Sequence, residues 1–196
     1  MKTADETGQS SLSEYDSKRL LGTYGIPVVK ETVVHTPDEA ADVAEQIGFP
    51  VVVKGLGSRL LHKTEKGLVH LKLQSKSAVL QAVEQISKNA GLDLEGFLIQ
   101  PFVGGKREWV AGMFRDPQFG PVIMFGAGGI FTEAYSDVSF RLAPLAESDA
   151  EAMLNEIKAQ ALLNDFRGEK QVDRQALIAT LMGVSRLAIE LPRISE

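Results

Sequence analysis

The chain has no cysteine, which excludes disulfides, a thiolate nucleophile and cysteine-ligated metal. It has three histidines, and the positions of His35, His62 and His70 do not match the spacing of a zinc site. No stretch approaches the roughly 18 uninterrupted apolar residues that a membrane span needs. The opening residues, MKTADETGQSS, carry no apolar signal-peptide core. There is no excess of positive charge either: 21 Lys and Arg against 26 Asp and Glu leave a net charge of −5. The basic residues are scattered, so nucleic-acid binding has no electrostatic footprint. These absences favour a cytoplasmic protein with neither a membrane nor a nucleic acid as partner.

What is present is ordinary for a globular protein: 196 residues, 44% apolar and 24% charged. That is enough chain for one core or two small lobes. Residues 1–12 are polar and without period, and read as a disordered lead-in. Elements then alternate. SEYDSKRLLGTYG reads as a helix with Ser13 as N-cap, Asp16 as its capping partner and Gly25 as the stop. IPVVKETVV reads as a strand, and TPDEAADVAEQIG as a helix opened by Thr36, Pro37 and Glu39 and closed by Gly48. Strand 50–54, strand 68–73, helix 77–90 and strand 96–103 follow, giving a first lobe over 13–105. Beyond it the texture changes to consecutive strands, then helices at 148–160 (Ser148 and Glu151 as capping box) and 173–190 (Asp173 as N-cap), a second lobe over 106–196. Strands mixed with helices without a strict βαβ repeat predict an α+β fold.

The segment PVVVKGLGSRLLHKTEKGLVHLKL raises the functional question. Lys54 closes a β-branched run and is expected to leave the strand towards the loop, where it can meet a phosphate as a point charge. A solvated lysine at a strand end is the plain alternative. The loop 55–67 holds Gly55, Gly57 and Gly67, which let backbone approach a ligand, and Ser58, Arg59, Lys63, Thr64 and Lys66 as donors to an anion. His62 is the one neutral nucleophile among them near pH 7. A phosphoramidate on it would suit reversible phosphoryl transfer, whereas a surface histidine in a loop needs no function at all. MFGAGGIFTEAYSD places Gly126, Gly128 and Gly129 after a strand, followed by Glu133 and Asp137. Successive backbone N–H groups there can form an anion nest, although tight turns use glycine for structural reasons as well. Asp116, before PQFGP, reads as a turn initiator.

Taken in order, YDSKRLLGTYGIPV, GFPVVVKGLGSRLLHKTEKGLV and LIQPFVGGKREWVAGMFRDPQFGPVIMFGAGGIFTEAYSDVSFRLAPL resemble the ATP-grasp (β) part of the ADP-forming acyl-CoA synthetases, the NDP-forming acetyl-CoA synthetase family. The resemblance covers nearly everything from Ser13 to Glu196. It implies an ATP-grasp fold of two α+β lobes gripping ATP or ADP. It also implies an acid–thiol ligase that interconverts acyl-CoA, ADP and phosphate with free acid, CoA and ATP through phosphohistidine. His62 would be the phosphoryl carrier and Lys54 the phosphate-contacting lysine. Gln100, Phe102 and Val103 would lie at the hinge that holds adenine, Glu108 near the ribose edge, and Gly126, Gly128, Gly129 and Glu133 at the phosphate end. The implied partner is a CoA-binding α subunit or fused α domain, and the implied cofactor is Mg²⁺. The family's Mg²⁺ ligands fall in a segment after the position of Glu196, so the resemblance offers no metal ligand within these residues, and the chain alone is not expected to turn over. A different class, a ligand-sensing synthetase-like module of a protein lysine acetyltransferase, shares the scaffold. So does an ATP-grasp ligase that activates a carboxylate for amine attack, which leaves the loop histidine unexplained.

Overall fold

The computed structural model describes residues 12–57, 60, 63–105, 107–129 and 137–196. The chain separates into two compact units: Val28–Gly104 together with the residues up to Arg19, and Leu20–Pro27 together with Gly105–Glu196.

The first unit is a four-stranded sheet in the order β1-β4-β2-β3, built from β1 (Thr32–Val34), β2 (Val51–Leu56), β3 (Val69–Leu73) and β4 (Gly96–Pro101). Every neighbouring pair in it runs antiparallel. Two helices pack on one face: α2 (Pro37–Ile47) and α3 (Lys76–Ala90), the helix preceding them being α1 (Glu14–Thr23). Helix α2 starts where the sequence indicates. The Thr36 side chain accepts from the Glu39 N–H, the Glu39 carboxylate accepts from the Thr36 N–H, and Gly48 ends the helix at φ 89°. Alternation along β2 sends Val51 and Val53 into the core with Ala40, Ala44, Val79, Val83, Ile86 and Ile99. Full burial of each large aliphatic side chain contributes about 1.5–3 kcal/mol. Alternation equally sends Val52 and Lys54 to the other face, where they pair with Gln100 and Leu98 of β4. β3 carries a bulge: Val51 pairs with Leu73 and Val53 with His70, so two residues of β3 oppose one of β2. Lys72 sits in that bulge at φ 56°, with its ammonium 5.2 Å from the centre of the Phe102 ring.

Two strand expectations change. The predicted strand 26–34 shortens to Thr32–Val34, because Ile26 is buried in the core of the other unit. Strand 50–54 lengthens to Leu56, because Gly55 and Leu56 still find Phe97 and Gly96 across from them. Lys54 therefore lies inside β2 rather than at its end.

The second unit is an antiparallel meander of β5 (Trp109–Asp116), β6 (Gly120–Ala127) and β7 (Val138–Leu142). Its helices are α4 (Glu147–Glu156) and α5 (Arg174–Glu190), with a 3₁₀ turn at Lys158–Leu163 between them. Ile123, Phe125, Met153, Leu154, Leu163 and Leu181 form its core, and Trp109 stacks on Phe125 at 5.7 Å. The Asp173 carboxylate caps α5 by accepting from the Ala176 N–H (2.9 Å). Arg115 closes its other end by donating to the carbonyls of Ala188 (2.7 Å), Leu191 (2.9 Å) and Ile194 (2.7 Å). α4 departs from expectation. It begins at Glu147, with the Ala146 N–H donating to Asp149 (2.9 Å), so Ser148 is not its cap, and the helical run divides into α4 and the 3₁₀ turn.

The placement of Leu20–Pro27 differs from the expected first lobe of residues 13–105. Arg186 donates to the Tyr24 carbonyl (2.9 Å). A Cβ on Gly183 would come within 2.8 Å of the Tyr24 carbonyl and of Ile26, so the glycine in α5 allows this segment to lie against the helix.

Candidate functional site

The first unit concentrates charge on the sheet face opposite its helices. Lys54, 17% exposed, donates through Nζ to Glu14 Oε1 of α1. Lys18, one turn further along α1, donates to the same Oε1 (2.9 Å), to Glu31 Oε2 (2.6 Å) and to Gln100 Oε1 (3.0 Å). Lys63, from the loop after β2, lies 3.8 Å from Glu14 Oε2. Three ammonium groups thus converge on one carboxylate.

The electrostatics follow from that crowding. Burial pushes the Glu14 carboxyl up, but hydrogen bonds and charge from Lys54 and Lys18 outweigh it and hold the group below the ordinary carboxylate range. Burial likewise works against Lys18, which its hydrogen bonds to Glu31 and Glu14 nonetheless raise above the usual lysine value. Lys63 goes the other way. Burial lowers it, the nearby Lys54 and Lys18 charges add to that, and attraction to Glu14 and Glu31 does not restore it. Glu31 is 4% exposed at its side chain, and its Oε1 is buried without a hydrogen-bond partner among the described residues. Such a cluster can bind a polyanion: it has desolvated cations, held in place, with donors to share.

The remaining sequence candidates distribute as follows. Gln100 (9% exposed) and Lys54 share the sheet face, and Lys18 joins them. Phe102 follows β4, its N–H donating to the Pro50 carbonyl (3.0 Å), and Val103 beside it is exposed. In the second unit the Gly128 N–H donates to the Glu108 carbonyl (2.7 Å), and a Cβ on Gly129, which has φ 77°, would lie 3.1 Å from Glu108 Oε2. A Cβ on Gly126 would meet the Asp137 carbonyl at 2.5 Å, so the missing side chain there admits the neighbouring strand. Asp137 accepts from the Lys158 (2.6 Å) and Ala159 (2.7 Å) N–H groups and so caps the 3₁₀ turn. Asp116 accepts from Gln118 and Phe119 N–H groups (2.8 and 2.9 Å), as a turn initiator should. His62 and Glu133 lie outside the described residues. Among the described residues there is no group of three or more His, Asp or Glu that could hold a metal ion. No helix among them is long and apolar enough to cross a membrane.

Sequence reasoning did not find Glu14, Lys18 or Glu31. The only local signal is the Glu14–Lys18 spacing of four on one helix, which is common on solvated helices.

The family model described as ATP-grasp domain matches residues 3–196, and the chain belongs to that family. Within it, the Pyrococcus furiosus protein "Acetate--CoA ligase [ADP-forming] II subunit beta" is 40% identical over 189 residues, 94% of this chain and 80% of that protein. Among solved structures, the Ca. Korarchaeum cryptofilum dinucleotide forming acetyl-coenzyme A synthetase 1, in complex with coenzyme A and Ca-AMPCP, superposes with a TM-score of 0.93. It is 41% identical and covers 98% of this chain and 86% of its own. A second structure of that synthetase, in complex with coenzyme A and Mg-AMPPCP, is described as having its phosphohistidine segment pointing towards the nucleotide binding site. It has a TM-score of 0.83 at 41% identity and covers 95% of this chain and 83% of its own.

Proposed function

We propose that this chain is the ATP- and ADP-binding part of an ADP-forming acyl-CoA ligase, working in the cytoplasm with a CoA-binding α subunit or fused α domain. The reaction is acyl-CoA + ADP + phosphate ⇌ carboxylic acid + CoA + ATP. The observation that carries the reading is the half-buried cluster of Lys18, Lys54 and Lys63, the last two at and within the chain segment that contains His62, in a chain of the ATP-grasp family. The relatives are ligases, and no observation favours the ligand-sensing alternative.

In this reading phosphate displaces CoA from the acyl carbonyl on the partner, giving an acyl phosphate. A ring nitrogen of His62 then takes the phosphoryl group, the P–O bond to the acid breaks and the carboxylate leaves. A terminal oxygen of ADP attacks the phosphohistidine, the P–N bond breaks and ATP forms, returning His62 to its neutral state. Mg²⁺, when bound, offsets the negative charge on the transferring phosphoryl group. Lys54 contributes fixed positive charge on the same phosphates from a rigid strand, so little reorganisation accompanies transfer. Gln100, Phe102 and Val103 border the base. Glu108 and the segment holding Gly126, Gly128, Gly129 and Glu133 border the sugar and phosphates.

The test is His62→Ala in the complete enzyme. Net ATP formation from acyl-CoA should be abolished while calorimetric ADP binding stays close to wild type. A variant that retained most of its turnover would remove His62 from the relay.

A further inference from the structure

Lys54 does not stand alone on its strand, and what fixes it is visible. Its ion-pair partner among the described residues is Glu14, on the first turn of α1. Glu14 is held in turn by Lys18 one helical turn away, and Lys18 is anchored to the buried Glu31 carboxylate and the Gln100 side chain. The chain of contacts therefore runs from a buried acid, through a lysine, to a second acid, and ends on the phosphate-class lysine.

We infer that Glu14 is a positioning residue: its carboxylate, braced by Lys18, Glu31 and Gln100, holds the Lys54 ammonium in the orientation that receives the nucleotide phosphates. The inference rests on the proposed role of Lys54. A lysine has three ammonium hydrogens and a flexible four-carbon stem. One bond to a fixed carboxylate removes much of the stem's rotamer freedom before the ligand arrives and leaves two donors to give. The opposite reading of the same contact is that Glu14 fills the anion site and must leave when phosphate enters. The bracing argues against it. A displaceable occupant would be attached only to the cations it blocks, whereas Glu14 shares its Oε1 with Lys18, which is itself committed to Glu31 at 2.6 Å and Gln100 at 3.0 Å. Lys63 completes the arrangement: Glu14 Oε2, 3.8 Å away, draws a further cation, from the loop after β2, towards the same point.

The experiment uses the complete enzyme with its CoA-binding partner and compares Glu14→Gln, Lys54→Met and the double variant. It measures ADP affinity by calorimetry, KM for ADP against kcat, and melting temperature. Glu14→Gln should weaken ADP binding about tenfold, the scale of one charge-assisted contact, and raise KM for ADP more than it lowers kcat. In the Lys54→Met background the same substitution should change affinity less than about twofold, because residues acting through one another are not additive. A merely structural Glu14 would lower the melting temperature equally in both backgrounds and leave ADP affinity alone. That result, with Lys54→Met still impaired, would overturn the positioning role while preserving the site. Tighter ADP binding in Glu14→Gln would also overturn it, in favour of a displaceable occupant. If Lys54→Met bound ADP normally, the phosphate role of Lys54 would fall and the inference with it. Should Glu14→Gln fail to fold, Glu14→Asp keeps the charge but retracts it by one methylene. It should bind ADP about threefold more weakly, a fraction of one such contact, and wild-type affinity in that variant would overturn the inference.

Discussion

Lys54→Met separates what Lys54 does for the fold from what it does for the ligand. Methionine keeps the apolar stem, so β2 loses no packing, and removes only the ammonium. In the fold that ammonium contacts Glu14. Glu14 keeps Lys18 at 2.9 Å and Lys63 at 3.8 Å, so the substitution leaves no orphaned buried carboxylate. It also removes one positive charge that disfavours protonated Lys63. The stability cost should then stay near that of a partly exposed ion pair, about 1 kcal/mol or less, which for a chain of this length lowers Tm by about 2–4 °C. On the ligand side the lost interaction is a charge-assisted hydrogen bond to phosphate, about 1.5–3 kcal/mol, or a roughly 10- to 150-fold rise in Kd. Titration calorimetry with ADP, paired with a thermal melt of the same preparation, reads both. A folded variant with unchanged Kd would refute the reasoning, because it would leave a half-buried strand lysine with no role beyond its pair to Glu14.

Two further outcomes follow from the same geometry. A Cβ on Gly57 would lie 2.1 Å from the Asp93 carbonyl and 2.9 Å from Leu60; Gly57→Ala should destabilise the first unit by about 3 kcal/mol, the upper part of the overpacking range, and an unchanged melt would show that the backbone there yields freely. Because the folded-state pKa of Glu14 is held below its ordinary value, its ion pairs add stability above the unfolded pKa of about 4.3 and lose it as pH falls through the lower folded value. The Tm difference between wild type and Glu14→Gln should accordingly be full at neutral pH and shrink in acid. A gap that persisted undiminished to pH about 2 would contradict the depressed carboxyl, since its contribution must fall once the unfolded state binds the proton.

Much of this protein is local, and the local part was legible. The capping box of Thr36 and Glu39, the Asp173 cap, and the pairing of Ser13 with Asp16 (2.8 Å) each involve residues within one turn, so the pattern of side chains along the chain already contains both partners. The α+β class and the ATP-grasp family were legible for a related reason: their motifs are contiguous stretches whose order survives in one dimension. The cationic character of the site was readable too, because Lys54, Lys63 and the glycines around them lie in one segment.

What the sequence could not decide are the pairings between distant residues. Lys54 ends an apolar run in one dimension, yet it sits inside β2 because Leu98 and Val69 flank it across the sheet. Ile26 looks like the start of a strand, yet it joins the second unit because Gly183 leaves α5 bare enough to receive it. Gly57 looks like an opening for a ligand, yet the space beside it is taken by the carbonyl of Asp93. Above all, only the tertiary structure brings Glu14 and Lys18 of α1, Glu31 of the connection before β1 and Gln100 of β4 to one face of the sheet. A desolvated charge must find its counter-ion in space rather than along the chain. The composition and motifs of the sequence therefore determine that a phosphate-class lysine exists, and the sheet register determines which carboxylate holds it.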